Sequence, residues 1–261
     1  MKTILRNIRF LGILCLMMLS CTHLSAQRRG MFRIVTDYDL SLTLEQYQKL
    51  VSSALASIEK ERPKYLNYIN TEVLSDYSGR IFEVDKEEKP HIPSSSLFHG
   101  LESNTRYCKI LFPCKAKHSE GFPQGYVAKV YLRTDNGVPF GIEWGDSGKE
   151  WILKYEEAPA LVKTSLMPTQ WMVPDGKPNL TEEASERWVG IARQAVKENL
   201  PDVYDMLAPN ADPAFMRFQY HEGSEAAVPV IKVMLFGRNL KLIVGIWEHT
   251  GQVFDIRFDE P

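Results

Sequence analysis

Several things are missing from this sequence, and each absence removes a class of function. After residue 26 there is no apolar run long enough to cross a bilayer as a helix. There is no glycine-rich phosphate loop and no dinucleotide fingerprint. Basic residues are not in excess. Without the first 26 residues, 28 basic side chains face 33 acidic ones, which argues against a nucleic-acid partner. Cysteine is scarce: of four, Cys15 and Cys21 belong to the N-terminal segment, leaving Cys108 and Cys114. No motif forces a reaction, so no catalytic residue, cofactor or metal ligand is assigned.

The N-terminal segment reads as an address. Lys2, Arg6 and Arg9 give it a basic start, residues 10–19 are apolar but too short for a span, and Leu24-Ser25-Ala26 is a small-residue cleavage signal. Residues 1–26 are therefore expected to be a secretory signal peptide. The alternative is lipidation at Cys21, since Met18-Leu19-Ser20-Cys21 resembles a bacterial lipobox. Both place the protein outside the cytoplasm, in the periplasm or envelope. In an oxidising compartment, two cysteines six residues apart favour a local disulfide between Cys108 and Cys114; two free thiols are the other reading.

What is present is a pattern that occurs twice. Residues 240–260 read as a hairpin: an apolar run to Trp247, a turn at Glu248-His249-Thr250-Gly251, then alternation with Phe254, Ile256 and Phe258 on one face. Residues 141–157 answer it at an offset of 103, with Trp151, Leu153 and Tyr155 as the inward set. Upstream, a second offset of 138 maps Val35 to Val173, Thr43 to Thr181, Ala54 to Ala192 and Pro63 to Pro201 without a gap. Thr43 caps a helix, with Gln46 completing a capping box; Leu44, Tyr47, Leu50, Val51, Ala54, Leu55 and Ile58 form its apolar stripe, and Pro63 stops it. Thr181 caps the second helix, whose stripe is Trp188, Val189, Ala192, Ala195 and Val196.

Strands are expected at 106–112, 126–133, 138–144 and 150–155, and again at 215–220, 228–236, 240–247 and 253–258. Asp135-Asn136-Gly137 is a tight-turn signal. The expected fold class is α+β: two tandem modules, each one helix packed on a four-stranded antiparallel sheet. Module one spans 31–157, a proline-containing linker 158–178, and module two 179–261. Module one alone carries an insertion near 68–105, because Pro63 to Cys108 covers 45 residues and Pro201 to Met216 only 15. This insertion mixes Tyr77, Phe82, Ile92, Leu97 and Phe98 with charge, and long loops of that kind are candidates for contact surfaces. Covering a sheet edge is the alternative use.

Residues 181–196 (TEEASERWVGIARQAV) and 247–260 (WEHTGQVFDIRFDE), with the final turn Thr250-Gly251-Gln252-Val253, resemble the PepSY-like modules of secreted bacterial proteins. The likeness covers 180–260, and 40–157 through the internal repeat. Module one departs from it: its turn is Asp146-Ser147-Gly148-Lys149. The tandem layout is similar to that of the periplasmic β-lactamase inhibitory proteins. These resemblances imply a non-catalytic envelope module that binds a protein or peptide, sometimes as a peptidase inhibitor.

Sharper readings compete. Gly145-Asp146-Ser147-Gly148 looks like a serine-protease nucleophile segment, but the matching turn in the repeat is a hairpin, so a turn is the better reading. His221-Glu222 and Glu248-His249 at strand ends form a zinc set only if they converge. His91, His99 and His118 read as solvated loop residues, and Lys115-Ala116-Lys117-His118 as a solvated turn. Trp144, Trp151, Trp188 and Trp247 read as core, with Trp171 between the modules. The expected function is binding of an unidentified protein or peptide. A secreted hydrolase with its site in the insertion or between the modules is the alternative, and a small-ligand carrier the third.

Overall fold

The computed structural model describes residues 35–37, 41–71, 80–83, 101–102, 105–146, 150–152, 155–161, 167–222, 226–238 and 240–258. By spatial proximity the chain falls into two compact units, Met1–Val35 with Phe82–Thr105, and Thr36–Ile81 with Arg106–Pro261. In the first, Leu101 is buried, and Thr105 donates its backbone N–H (3.2 Å) and its hydroxyl (2.7 Å) to the Glu102 carbonyl. Residues 1–26, expected to be a signal peptide and including Cys21, lie outside the described residues, as does most of the 68–105 insertion.

Strand β1 (Val35–Asp37) is followed by helix α1 (Leu44–Glu61). Thr43 Oγ1 accepts the Gln46 N–H at 3.2 Å, and the Gln46 side chain accepts the Thr43 N–H at 2.9 Å. That capping box satisfies two donors that the first helical turn leaves unpaired. Pro63 ends the helix, because its ring disfavours helical backbone at Arg62 and it has no N–H to give. A 3₁₀ turn (Pro63–Tyr68) follows, then β2 (Arg80–Glu83), β3 (Arg106–Pro113), a second 3₁₀ turn (Ala116–Gly121), β4 (Tyr126–Arg133), β5 (Pro139–Trp144) and β6 (Glu150–Ile152). Then come β7 (Gln170–Pro174), α2 (Glu182–Asn199), a single turn α3 (Pro201–Tyr204), β8 (Ala214–Glu222), β9 (Val228–Gly237), β10 (Leu240–Trp247) and β11 (Val253–Phe258). Both long helices have 18 residues, and Thr181 caps α2 by accepting the Ala184 N–H at 3.2 Å.

The strands form two sheets, ordered β1-β2-β3-β4-β5-β6 and β11-β10-β9-β8-β7. The pairings from β3 to β6 and throughout the second sheet are antiparallel. The class is α+β, with few helices. Most strands lie where the sequence reading expected them; β6 is described over Glu150–Ile152, and the expected continuation through Leu153 lies outside the described residues.

Helix α1 packs Tyr47, Leu50, Val51, Ala54, Leu55 and Ile58 against Cys108, Ile110 and Phe112 of β3, Ala128, Val130 and Leu132 of β4, and Ile142 and Trp144 of β5. Helix α2 packs Trp188, Ala192 and Val196 against Ile231, Val233 and Leu235 of β9 and Leu242, Val244 and Ile246 of β10.

Two expectations need correction. Residues 158–178 are not only a linker. They supply β7, the fifth strand of the second sheet, paired with β8 from Gln170↔Glu222 to Pro174↔Phe218. Its side chains alternate between environments: Trp171 and Val173 join the α1 core, while Met172 joins Phe218 and Val230 on the other face. Trp171 meets Tyr47 edge-on, with ring centroids 6.2 Å apart. The proline at the end of β7 is tolerated because it closes an edge strand.

The second correction concerns β11. Phe254, Ile256 and Phe258 do not share a buried face. A bulge interrupts the β10–β11 ladder, where Gly245 faces Asp255 but Ile246 faces Val253. The extra residue, Phe254, turns to the opposite face, while Val253 and Ile256 pack toward α2. The Phe254 ring tilts on Trp247 at 4.6 Å and fills the space above Gly245, where a Cβ would come within 2.7 Å of it.

Candidate binding surface

At the C-terminal end of α1, five aromatic rings gather around one arginine. Pro63–Tyr68 winds as a 3₁₀ helix, where side chains three apart lie nearly in register, so Tyr65 and Tyr68 project side by side. Tyr65 touches Tyr68 (5.8 Å), Phe122 (5.6 Å) and Trp144 (5.3 Å); Tyr68 also meets Phe122 (5.6 Å) and the His118 ring (4.7 Å). The Arg62 guanidinium stacks over Trp144 at 4.6 Å and Tyr65 at 5.0 Å. Phe122 and Trp144 are buried, whereas Tyr65, Tyr68, His118 and Arg62 are half-buried.

Asp146 closes this patch. Its Oδ2 accepts the Tyr65 hydroxyl at 2.5 Å, and Arg62 Nη1 lies 3.3 Å from both carboxylate oxygens. Burial, and next the hydrogen bond to Asp146, raise the Tyr65 hydroxyl pKa. Neighbouring Gly145 is sterically required: a Cβ there would lie 1.8 Å from the Tyr126 carbonyl oxygen. Thus Gly145 and Asp146 are accounted for by a close backbone approach and an ion pair; Ser147 lies outside the described residues. The adjoining basic stretch is tied down as well, since Lys115 Nζ donates to the Asn67 carbonyl at 3.0 Å. The patch is rooted where the 68–105 insertion begins: Ile69 bridges Cys114, and Asn70 N–H donates to the Pro113 carbonyl at 2.8 Å.

Two other polar groups are internally engaged. On the first sheet, Glu143 accepts the hydroxyls of Tyr126 and Tyr131 (3.1 Å for Tyr131) and pairs with Lys129 at 3.7 Å. On the second, Arg217 bonds Glu248 at 2.9 Å and lies 3.9 Å from Asp175, which also accepts from Gln219 at 2.6 Å. Glu248 therefore faces Arg217. His249 lies against Trp247 at 6.5 Å, and Glu222 accepts from Gln170 and Tyr220, both at 2.9 Å. Among the described residues no group of three or more His, Cys, Asp or Glu is placed to hold a metal ion.

The expected Cys108–Cys114 disulfide is not formed; both thiols are free. Cys108 lies within extended β3 and Cys114 just beyond its end, so at about 3.3 Å per residue their Cα atoms are roughly 20 Å apart, where a bridge needs about 4.4–6.8 Å. Cys108 faces the α1 core, and burial pushes its thiol up to about 12.

Sequence reading missed Arg62 and Tyr65. A signal was available in the repeat: the matched positions are Leu200 and Val203, so aromatic and charged residues replace aliphatic ones only in the first half. Comparison with known protein families, characterised proteins and solved structures found no match.

Proposed function

We propose that the chain is an exported envelope protein built from two tandem α-β4 modules of PepSY-like type, and that it binds a protein or peptide without acting on it chemically. The observation that carries this reading is the half-buried patch of Arg62, Tyr65, Tyr68 and His118 on the buried bed of Phe122 and Trp144. Arginine, tyrosine and tryptophan are the residue types that dominate binding hot spots, because they bury large area at small conformational cost. The ring contacts and the Asp146 bridge hold these side chains in one arrangement before any partner arrives, which lowers the cost of binding. The patch stands where the 68–105 stretch begins, at Tyr68 and Ile69.

The test is capture from an envelope extract of the host bacterium by the immobilised full chain, beside the variants Tyr68→Ala and His118→Ser. A partner retained by the native chain and lost by both variants, with their melting temperatures nearly unchanged, is the expected result. Equal capture by all three, or turnover of a substrate by the purified chain, overturns the proposal.

A further inference from the structure

The two edges of the second sheet are treated differently. At the β7 edge, Ser41 bridges Asp175 and the Leu42 N–H donates to the Pro174 carbonyl at 3.0 Å. At the β11 edge no strand or bridge is present among the described residues. Open edges are commonly guarded by charge and kept free of large exposed apolar groups. Here Phe258 is 56% exposed.

The bulge sets which side chains this edge presents. With Phe254 turned away, the regular positions run Val253, Asp255, Ile256, Arg257, Phe258. Val253 and Ile256 face α2, as does Phe258 opposite Leu242; Asp255 and Arg257 face the other way, opposite Gly245 and Ile243. This order is complementary to itself when reversed. Two copies placed antiparallel about a two-fold axis through Ile256 put Ile256 beside its own copy, Asp255 opposite Arg257, and Val253 opposite Phe258. Directly opposed residues in an antiparallel pair share a face, and opposite charges and apolar pairs there are stabilising. Each protomer would thus cover the exposed Phe258 of the other, and the salt pairing that Asp255 and Arg257 make within one chain (3.7 Å) would be doubled across the axis.

We propose that β11 is a self-pairing edge through which a second copy of this chain docks, joining two five-stranded sheets into one of ten strands. Such an interface is isologous, as closed two-fold dimers require. It uses a different surface from the aromatic patch and stands independently of it.

Sedimentation of the full chain at low salt should show a monomer–dimer equilibrium that weakens as salt is raised. Asp255→Arg and Arg257→Asp, each placing like charges opposite one another, should weaken the dimer about tenfold. The combined exchange Asp255→Arg with Arg257→Asp should restore it. A native chain that stays monomeric through its soluble range overturns the proposal, as do single exchanges without effect or a double exchange that fails to rescue. Should the charge variants lose their fold by circular dichroism, Ile256→Cys provides the independent measurement. Residue 256 meets itself on the axis, so oxidation should give a covalent dimer beyond the native background, while Thr250→Cys at the turn should not. Absence of that difference also overturns it.

Discussion

The Tyr65 hydroxyl lies 2.5 Å from Oδ2 of Asp146, joining the 3₁₀ turn after α1 to a turn 81 residues further along the chain. Both groups also contact Arg62, so each of the three touches the other two. Asp146→Ala removes the carboxylate that pairs with Arg62 and accepts the Tyr65 hydroxyl. The expected loss is about 1–2 kcal/mol by denaturant titration, given the partial exposure of the pair. Tyr65→Phe, which removes only the hydroxyl, should cost less. A smaller effect for Asp146→Ala than for Tyr65→Phe would show that the stacking, not the carboxylate, holds the patch.

Gly145→Ala should destabilise by about 1–3 kcal/mol or more, because the added methyl meets a backbone carbonyl that cannot rotate away. Gly190, on the open side of α2 with nothing near its absent Cβ, is the control. Gly190→Ala should stabilise by about 0.5–1 kcal/mol through helix propensity.

Cys108 and Cys114 should both react with an alkylating reagent after unfolding without reductant. In the native state Cys114, half-buried, should be modified before Cys108, which is buried and holds its proton to about 12. Mass spectrometry of the chain before and after unfolding separates this outcome from a disulfide.

The buried Cys108 also fixes a response to alkali. Its folded pKa lies above the ordinary value near 9, so the folded chain keeps a proton that the unfolded chain releases. The stability this contributes is complete below about pH 9 and is lost as pH rises toward about 12. Tyr65, Tyr107 and Tyr155 are raised too, and act in the same direction above pH 10. Acid acts through His221, lowered by burial, and Glu222, lowered by its bonds to Gln170 and Tyr220. Their contributions are present above the ordinary values of 6.5 and 4.5 and disappear as pH falls through the lower folded values. The melting temperature should therefore fall on both sides, and His221→Gln should flatten the first acid step.

Trp171→Ala should cost about 3–5 kcal/mol, typical of a large ring removed from a core. Because that ring sits on the second sheet and fills the α1 core, unfolding should be a single transition by circular dichroism and tryptophan fluorescence alike. Separate transitions would show that β7 does not couple the two cores.

Much of the fold was legible because it is locally encoded. Thr43, Gln46 and Pro63 fix the start and end of α1 from neighbouring residues alone, and Thr181 and Pro201 do so for α2. The apolar runs of β4 and β10 read as strands because both of their faces are largely buried. The failures were non-local. Prolines made 158–178 read as a linker, yet Trp171, Met172 and Val173 are a strand by virtue of β8 and α1, neither adjacent in sequence. Perfect alternation in β11 concealed a bulge whose cause, the space above Gly245, lies on another strand. The Arg62 patch was invisible for the same reason: Asp146 and Trp144 lie 84 and 82 residues along the chain from Arg62.

The position of Trp171 also bears on how the chain acquires its structure. Synthesis delivers residues in order from the N-terminus. Helix α1 and strands β3 to β5 are complete by Trp144, but the core between them still lacks the Trp171 and Val173 side chains. That core stays open until Pro174 has emerged, with Tyr47 exposed on its unsealed side. The first half must therefore wait for the second before it can close, and a factor that shields nascent chains would find its target during that interval.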